Sequence, residues 1–203
     1  MTERTDTRSK IVSRATELLK ERGYNGFSYN DISVPLGVRN AAIHYHFGSK
    51  AELCTELVEQ YRELLRSQTS QFMANGGSAT EQIEGYFRFC MHECPDCSSL
   101  CPLGALAVDF ERAPDAVKER AQLLIDETHA WLTRVFEVGK AQGEMNFSAE
   151  PSLMAHMLMS TVQGSRTLQR ISGHTRLEAV IEGWRVQIFG TSAADNSADT
   201  AAA

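Results

Sequence analysis

Several things are scarce in this 203-residue chain, and each scarcity removes a class of function. No apolar run approaches the ~20 residues that a membrane span needs. The opening Met-Thr-Glu-Arg-Thr-Asp has no apolar core of the kind a secretory signal carries, so a cytoplasmic protein with no membrane partner is expected. Neither a nucleophile motif nor a phosphate-cradling glycine loop is present, and the acidic residues are scattered at helix-surface spacing. A non-enzymatic protein without a cofactor is therefore expected. Period-two alternation and internal repeats are both missing, which leaves helices as the only regular structure. Basic charge is short as well. With 20 Lys/Arg against 26 Asp/Glu the net charge is −6, which taken alone argues against a polyanionic partner.

The distribution of that charge reverses the last point. Residues 1–50 hold eight Lys/Arg and five Asp/Glu, a balance of +3, and the remainder is left with −9. A basic head on an acidic body suits a protein that meets phosphates at one end only. Helical spacing predicts a first helix from about Arg8 to Glu21 with Ile11, Ala15, Leu18 and Leu19 inward, stopped by Gly23. From Ala51 onward Cys54, Leu57, Val58, Tyr61, Leu64 and Leu65 repeat at the same period. Ser78 with Glu81 forms a capping box for a helix from about Ala79 to His92. Pro114 suits the first turn of a helix reaching about Ala141, and Pro151 that of another running toward Leu168. A last helix spans about Arg176 to Phe189, and the small polar tail 191–203 has no core formers, so it is expected to be disordered.

The most informative stretch is Ser28 to Lys50. Ser28 and Asp31 make an N-cap pair, Ile32 and Leu36 an apolar face, and Gly37 a sharp turn that Val38 tucks under. Pro35 should shorten or kink the first of the two helices. Ile43 and Phe47 give the second helix an inward stripe, leaving Arg39, Asn40, Ala42, His44, Tyr45 and His46 outward. That is a helix-turn-helix, whose second helix enters the major groove of duplex DNA.

The same residues resemble the DNA-binding domain of TetR-type transcriptional regulators. The matching positions are Gly23-Tyr24, Phe27-Ser28, Asp31-Ile32, Gly37-Val38, Tyr45-His46-Phe47 and Ser49-Lys50. The chain departs from the pattern at Asn40-Ala41, where Lys-Gly is usual, and at His44, often tyrosine. The resemblance implies an all-α fold of nine helices. Residues 1–50 form a three-helix helix-turn-helix head, and 51–190 a six-helix body that binds a small-molecule effector and pairs as a homodimer. It also implies that Arg39, Asn40 and Ala42 read bases or adjacent phosphates, and their side chains suit guanine, adenine and a thymine methyl respectively. His44, Tyr45, Lys50 and Ser28 are expected to hold phosphates, with His46 the weakest member of the set. Two heads would require a near-palindromic operator in double-stranded DNA, with half-sites roughly 34–36 Å apart or a multiple of that.

Four of the five cysteines, Cys90, Cys94, Cys97 and Cys101, fall within twelve residues. Three readings stay open. Cys101 ahead of Pro102 sits at a helix cap, where the dipole favours a thiolate; the resemblance implies a sensor cysteine there, which a neighbouring thiol could resolve. Four thiolates could instead hold zinc or an iron–sulfur cluster, although the paired CxxC framework is absent. Reduced cysteines could also simply pack as small hydrophobes, as expected for Cys54. For the effector pocket, the resemblance points to Phe87, Phe89, Met91, His129, Trp131, Phe136, Met154, Met157 and Gln163, an aromatic and Met-rich wall suited to a largely apolar ligand. For the dimer, Trp184 and Ile188 are the expected anchors.

Overall fold

A computed structural model describes residues 2–74, 77–93, 100–173 and 176–190, with residues 2–5 and 74 described through their backbone only. Among these there are nine α-helices and no strand: α1 Thr2–Arg22, α2 Tyr29–Leu36, α3 Asn40–His46, α4 Lys50–Ala74, α5 Ala79–His92, α6 Pro102–Ala107, α7 Asp115–Ala141, α8 Pro151–Ser172 and α9 Leu177–Phe189, with one 3₁₀ turn at Phe110–Arg112. The all-α expectation holds. Helix α1 starts earlier than expected because nothing before Gly23 breaks it, and Asp6 pairs with Lys10 one turn on, at 2.6 Å. Helix α8 runs four residues past Leu168 and stops where Gly173 takes φ 68°. The tail 191–203 lies outside the described residues.

Two compact units make up the chain, one of Met1–Ser67 with Ser98–Glu127 and the other of Gln68–Cys97 with Thr128–Ala203. In the first, Ile11, Ala15, Leu18 and Leu19 of α1 are fully buried, together with Ile32, Ile43, Leu53, Cys54 and Val58. Burying each of the isoleucine, leucine and valine side chains contributes roughly 1.5–3 kcal/mol. Leu64, expected on the inward stripe of α4, is instead 40% exposed. Arg62 of α4 reaches Glu127 of α7 through two guanidinium nitrogens at 2.8 and 3.0 Å, and also pairs with Glu59. Such a fork is the strong form of ion pair.

In the second unit α5 begins as expected. Ser78 accepts from the Glu81 amide at 3.2 Å, Glu81 accepts from the Ser78 amide at 2.9 Å, and Glu144 takes the Thr80 amide at 2.8 Å. The core here is Phe87, Phe136, Met154, Leu158, Ile181, Trp184 and Ile188. Phe136 stacks edge-on against Phe147 at 5.5 Å and tilts against Trp184 at 6.4 Å. Arg185 grips Glu84 with two bonds of 2.8 Å, which ties α9 to α5.

Candidate DNA-binding site

The helix-turn-helix is built from local rules. The Ser28 amide and hydroxyl both donate to one Asp31 carboxylate oxygen, at 2.8 and 2.7 Å, and Arg22 donates to the other at 3.1 Å. These bonds, the Ser28 hydroxyl's first, hold the Asp31 carboxyl below its ordinary range. Ser28 is thus committed to Asp31 and not open-handed toward a phosphate. Helix α2 runs eight residues and carries Pro35 in its last turn, so the proline leaves the helix short. Gly37 then takes φ 65°, ψ 24°. Its amide bonds Val34 while the Val38 amide bonds Ser33, at 3.2 and 3.1 Å. That doubled bond is a Schellman closure, and its left-handed residue is one that a β-carbon would penalise.

Helix α3 follows, with Arg39 as its N-cap and one fully buried residue, Ile43. Phe47 ends it 2% exposed beneath the Arg8 guanidinium, 5.1 Å from the ring centre. Arg39, Asn40, Ala41, His44 and Tyr45 are exposed, and Ala42 and His46 half-buried. Tyr45, at 63%, is the most open aromatic residue of the head. Of the six side chains expected outward, Arg39, Asn40, His44 and Tyr45 are exposed and Ala42 and His46 are partly covered.

Three further members of the expected set, besides Ser28, are engaged within the head. Asn40 Nδ2 donates to Asn30 Oδ1 at 2.6 Å, which ties the start of α3 to α2. His44 meets the Tyr29 ring edge-on at 4.8 Å, and the Tyr29 hydroxyl donates to the Phe47 carbonyl at 3.2 Å. Lys50 turns inward. Its ammonium lies 4.9 Å from the Tyr24 ring and 4.2 Å from the Phe27 ring, and donates to the Phe27 carbonyl. Burial lowers its pKa from the ordinary value. This Lys50 is a clamp on the α1–α2 turn. Tyr29 and Asn30 were not singled out from the sequence. The signal for Asn30 was a short polar residue in the first turn of α2, one step before the capping aspartate.

The cysteines divide. Cys54, Cys90 and Cys101 are buried, and burial pushes the Cys54 thiol up to about 12. Cys101 caps α6, its Sγ accepting from the Gly104 amide at 3.3 Å. Cys94 and Cys97 lie outside the described residues. Among the described residues no three Cys, His, Asp or Glu side chains come together as a metal site.

The expected effector residues fall into different settings. Phe87 and Met154 are core, at 0% and 1% exposure, whereas Met91 and Met157 are surface residues. Gln163 is half-buried. His129 lies against His156 with ring centres 4.5 Å apart, and its Nε2 is 3.1 Å from the Ser152 carbonyl. Trp131 packs at 5.7 Å on Tyr86, and its buried indole N–H has no hydrogen-bond partner among the described residues. Trp184 and Ile188 are spent on the chain's own interior, and Trp184 Nε1 donates to Thr161 at 2.7 Å. The apolar surface left open on α8 and α9 belongs to a different set: Leu153, Met157, Leu168, Ile171 and Val186. Beside it runs an open groove of about 650 Å³ lined by Thr161, Gly164, Ser165, Leu168, Arg176, Ala179 and Val180.

A short capped helix, a left-handed glycine turn and an outward-facing second helix ahead of a helical body define a helix-turn-helix regulator. Comparison with known proteins gives the family. Residues 11–57 match the family model for bacterial regulatory proteins of the tetR family, and residues 84–183 match a tetracyclin repressor-like C-terminal domain. The fold superposes with a TM-score of 0.77 on a TetR-family transcriptional regulator from Agrobacterium tumefaciens, 31% identical, across 86% of this chain and 92% of that one. The chain is 29% identical over 117 residues to the HTH-type transcriptional regulator LmrA of Bacillus subtilis, spanning 56% of this chain and 62% of LmrA. It is 23% identical to the HTH-type transcriptional repressor DhaR of a Mycobacterium species, spanning 80% of this chain and 81% of DhaR. The chain belongs to the TetR family of transcriptional regulators. Among the described residues no helix is long and apolar enough to cross a membrane.

Proposed function

We propose that this protein is a homodimeric repressor whose heads, residues 1–50, read a near-palindromic operator, and whose body, residues 51–190, answers to a small molecule. The observation that carries the reading is the pose of α3: Ile43 and Phe47 bury one side, which leaves Arg39, Asn40 and Tyr45 on the other. Arg39 is the base reader of choice, because a guanidinium fork matches guanine O6 and N7 and is worth ~1–3 kcal/mol of discrimination. Tyr45 positions the head on phosphate. Asn40 reads a base only with the part of its amide that Asn30 leaves open. Repression is supported by the relative DhaR, described as a repressor.

Dimerisation is assigned to the open face of α8 and α9, where Leu168, Ile171 and Val186 would meet their twofold mates beside the small residues of the groove. Small residues let helices approach closely, and apolar ones supply the area. For the effector, the orphaned Trp131 N–H is the supporting observation. A buried donor left unmade costs about 1–3 kcal/mol, and an acceptor on a ligand would recover it. Release by modification of Cys101 is the second route, supported by the position of its sulfur on the cap of α6.

Footprinting on DNA upstream of the protein's own coding sequence tests the reading, for the native protein and Cys101→Ser, with and without a mild oxidant. Expected are one discrete protected palindrome and a steep loss of binding with salt. Oxidant that releases both proteins equally rules out the Cys101 route. Sequence-blind binding across operator and random DNA rules out the operator-reading head.

A further inference from the structure

The segment around α6 holds the head at a place that operator reading does not explain. Asp109 Oδ2 accepts the Asn25 amide at 3.0 Å, across 84 residues of sequence. The same oxygen lies 3.1 Å from the point where a β-carbon on Gly23 would stand, and Gly23 holds φ +77°. At the other end of the segment the Leu100 amide donates to the Lys20 carbonyl at 3.4 Å. Residues 100–109 therefore grip the end of α1 and the turn leading into α2 at two separate points.

That turn decides where α2 begins. Asn25 and Gly26 sit between the end of α1 and the Ser28–Asp31 lock, and Lys50 holds Phe27 from the other side. Helix α2 in turn carries Asn30, which fixes Asn40 at the start of α3. The chain of contacts runs from Asp109 to the turn, to α2, and to the recognition edge, all within one compact unit.

We propose that Asp109 is a positioning residue for operator binding: by holding the Asn25 amide it fixes the α1–α2 turn and, through α2 and the Asn30–Asn40 bond, the pose of the recognition helix. The inference rests on the reading of α3 as the operator-facing helix. The Asn25 bond also lowers the carboxyl's pKa from the ordinary value, with smaller help from Arg112 and Lys50, so the acceptor is ionised at neutral pH.

The sign of the charge makes this testable. Asp109 is an anion on a unit that must approach phosphates, so Coulomb's law alone predicts that its removal tightens binding to any duplex. Positioning predicts a loss, and for the operator only. Binding by anisotropy at fixed salt to the footprinted operator and to a scrambled duplex separates the two, using the native protein, Asp109→Ala and Asp109→Asn. Asp109→Ala is expected to weaken operator binding roughly five- to tenfold, the net scale of one ordinary intramolecular hydrogen bond. Its binding to the scrambled duplex should hold or rise. Asp109→Asn, which keeps an oxygen acceptor, should restore most of the loss, and exchange of the Asn25 amide should quicken in the alanine variant alone. Operator binding by Asp109→Ala that is unchanged or tighter overturns the proposal. So does an equal loss on both duplexes with a lowered melting temperature, which marks a folding defect. If the native protein itself cannot tell the duplexes apart, the operator-reading head has failed and this inference falls with it.

Discussion

The Lys50 ammonium lies 4.2 Å from the centre of the Phe27 ring and donates to that residue's carbonyl. A lysine opening a long helix, in a basic head, would ordinarily be counted as a phosphate contact. Here its charge is folded onto two aromatic faces, the second being Tyr24 at 4.9 Å. The arrangement closes the turn between α1 and α2.

Lys50→Met should therefore lower the stability of the head by about 1–2 kcal/mol, the worth of a partly desolvated cation–π contact with its hydrogen bond. The slope of log affinity against log salt for random duplex should stay unchanged. A contact to phosphate would instead reduce that slope by nearly one unit. Thermal melts and a salt titration read the two effects separately, and a reduced slope with native stability would return Lys50 to the phosphate set.

Asn30 and Asn40 predict a coupled pair. Asn30 accepts from Asn40 of α3, and Asn30→Ala should weaken operator binding because the Asn40 amide loses the acceptor that orients it. In a double-mutant cycle on operator affinity the two alanine substitutions should be less than additive, with a coupling of about 0.5–1.5 kcal/mol. Additive losses would mean that Asn40 reads its base without help from Asn30.

How much of this was legible in the sequence depends on how far apart the partners stand. The Ser78–Glu81 box and the Gly37 turn were readable because each is settled within four residues. The inward positions Ile11, Ala15, Leu18 and Leu19 were readable because period 3.6 names a buried face. Periodicity does not say who covers that face, however. Trp184 and Ile188 stand on the apolar stripe expected to anchor a dimer, but the chain's own Phe136 and Thr161 take up Trp184. Lys50 was illegible for another reason, since a flexible four-carbon stem reaches water or an aromatic ring with equal ease. The Asp109–Asn25 bond spans 84 residues and leaves no local pattern at all.

The exposed set on α8 and α9 gives a prediction about assembly. Leu168 and Ile171 are 55% and 79% exposed in the single chain, so charging them costs the fold little. The Leu168→Glu, Ile171→Glu double variant should melt near the native temperature, yet elute as a monomer and bind the operator far more weakly. Trp184→Ala should act in the opposite way, destabilising the chain by about 3–5 kcal/mol through the cavity it opens. Light scattering during size-exclusion chromatography distinguishes them, and a charged double variant that stays dimeric would move the interface to another face.

Acid should loosen the entry to α2 through Asp31. Its carboxylate is held ionised chiefly by the Ser28 hydroxyl, then by the Ser28 amide and Arg22, so its folded pKa lies below the ordinary 3.8. For an acid whose folded pKa is depressed, the unfolded chain binds more protons once pH drops below the unfolded value. The stabilisation is thus complete above about pH 5 and is lost as pH falls through the unfolded value and then the depressed one. Asp31→Asn cannot titrate, so the gap in melting temperature between it and the native protein should be constant from neutrality down to about pH 5 and then close under stronger acid. Ser28→Ala should narrow the gap from the start, because it removes the largest contributor to the shift. A gap that stays constant through the acid range would show that the Ser28–Asp31 lock carries no weight in the folded head.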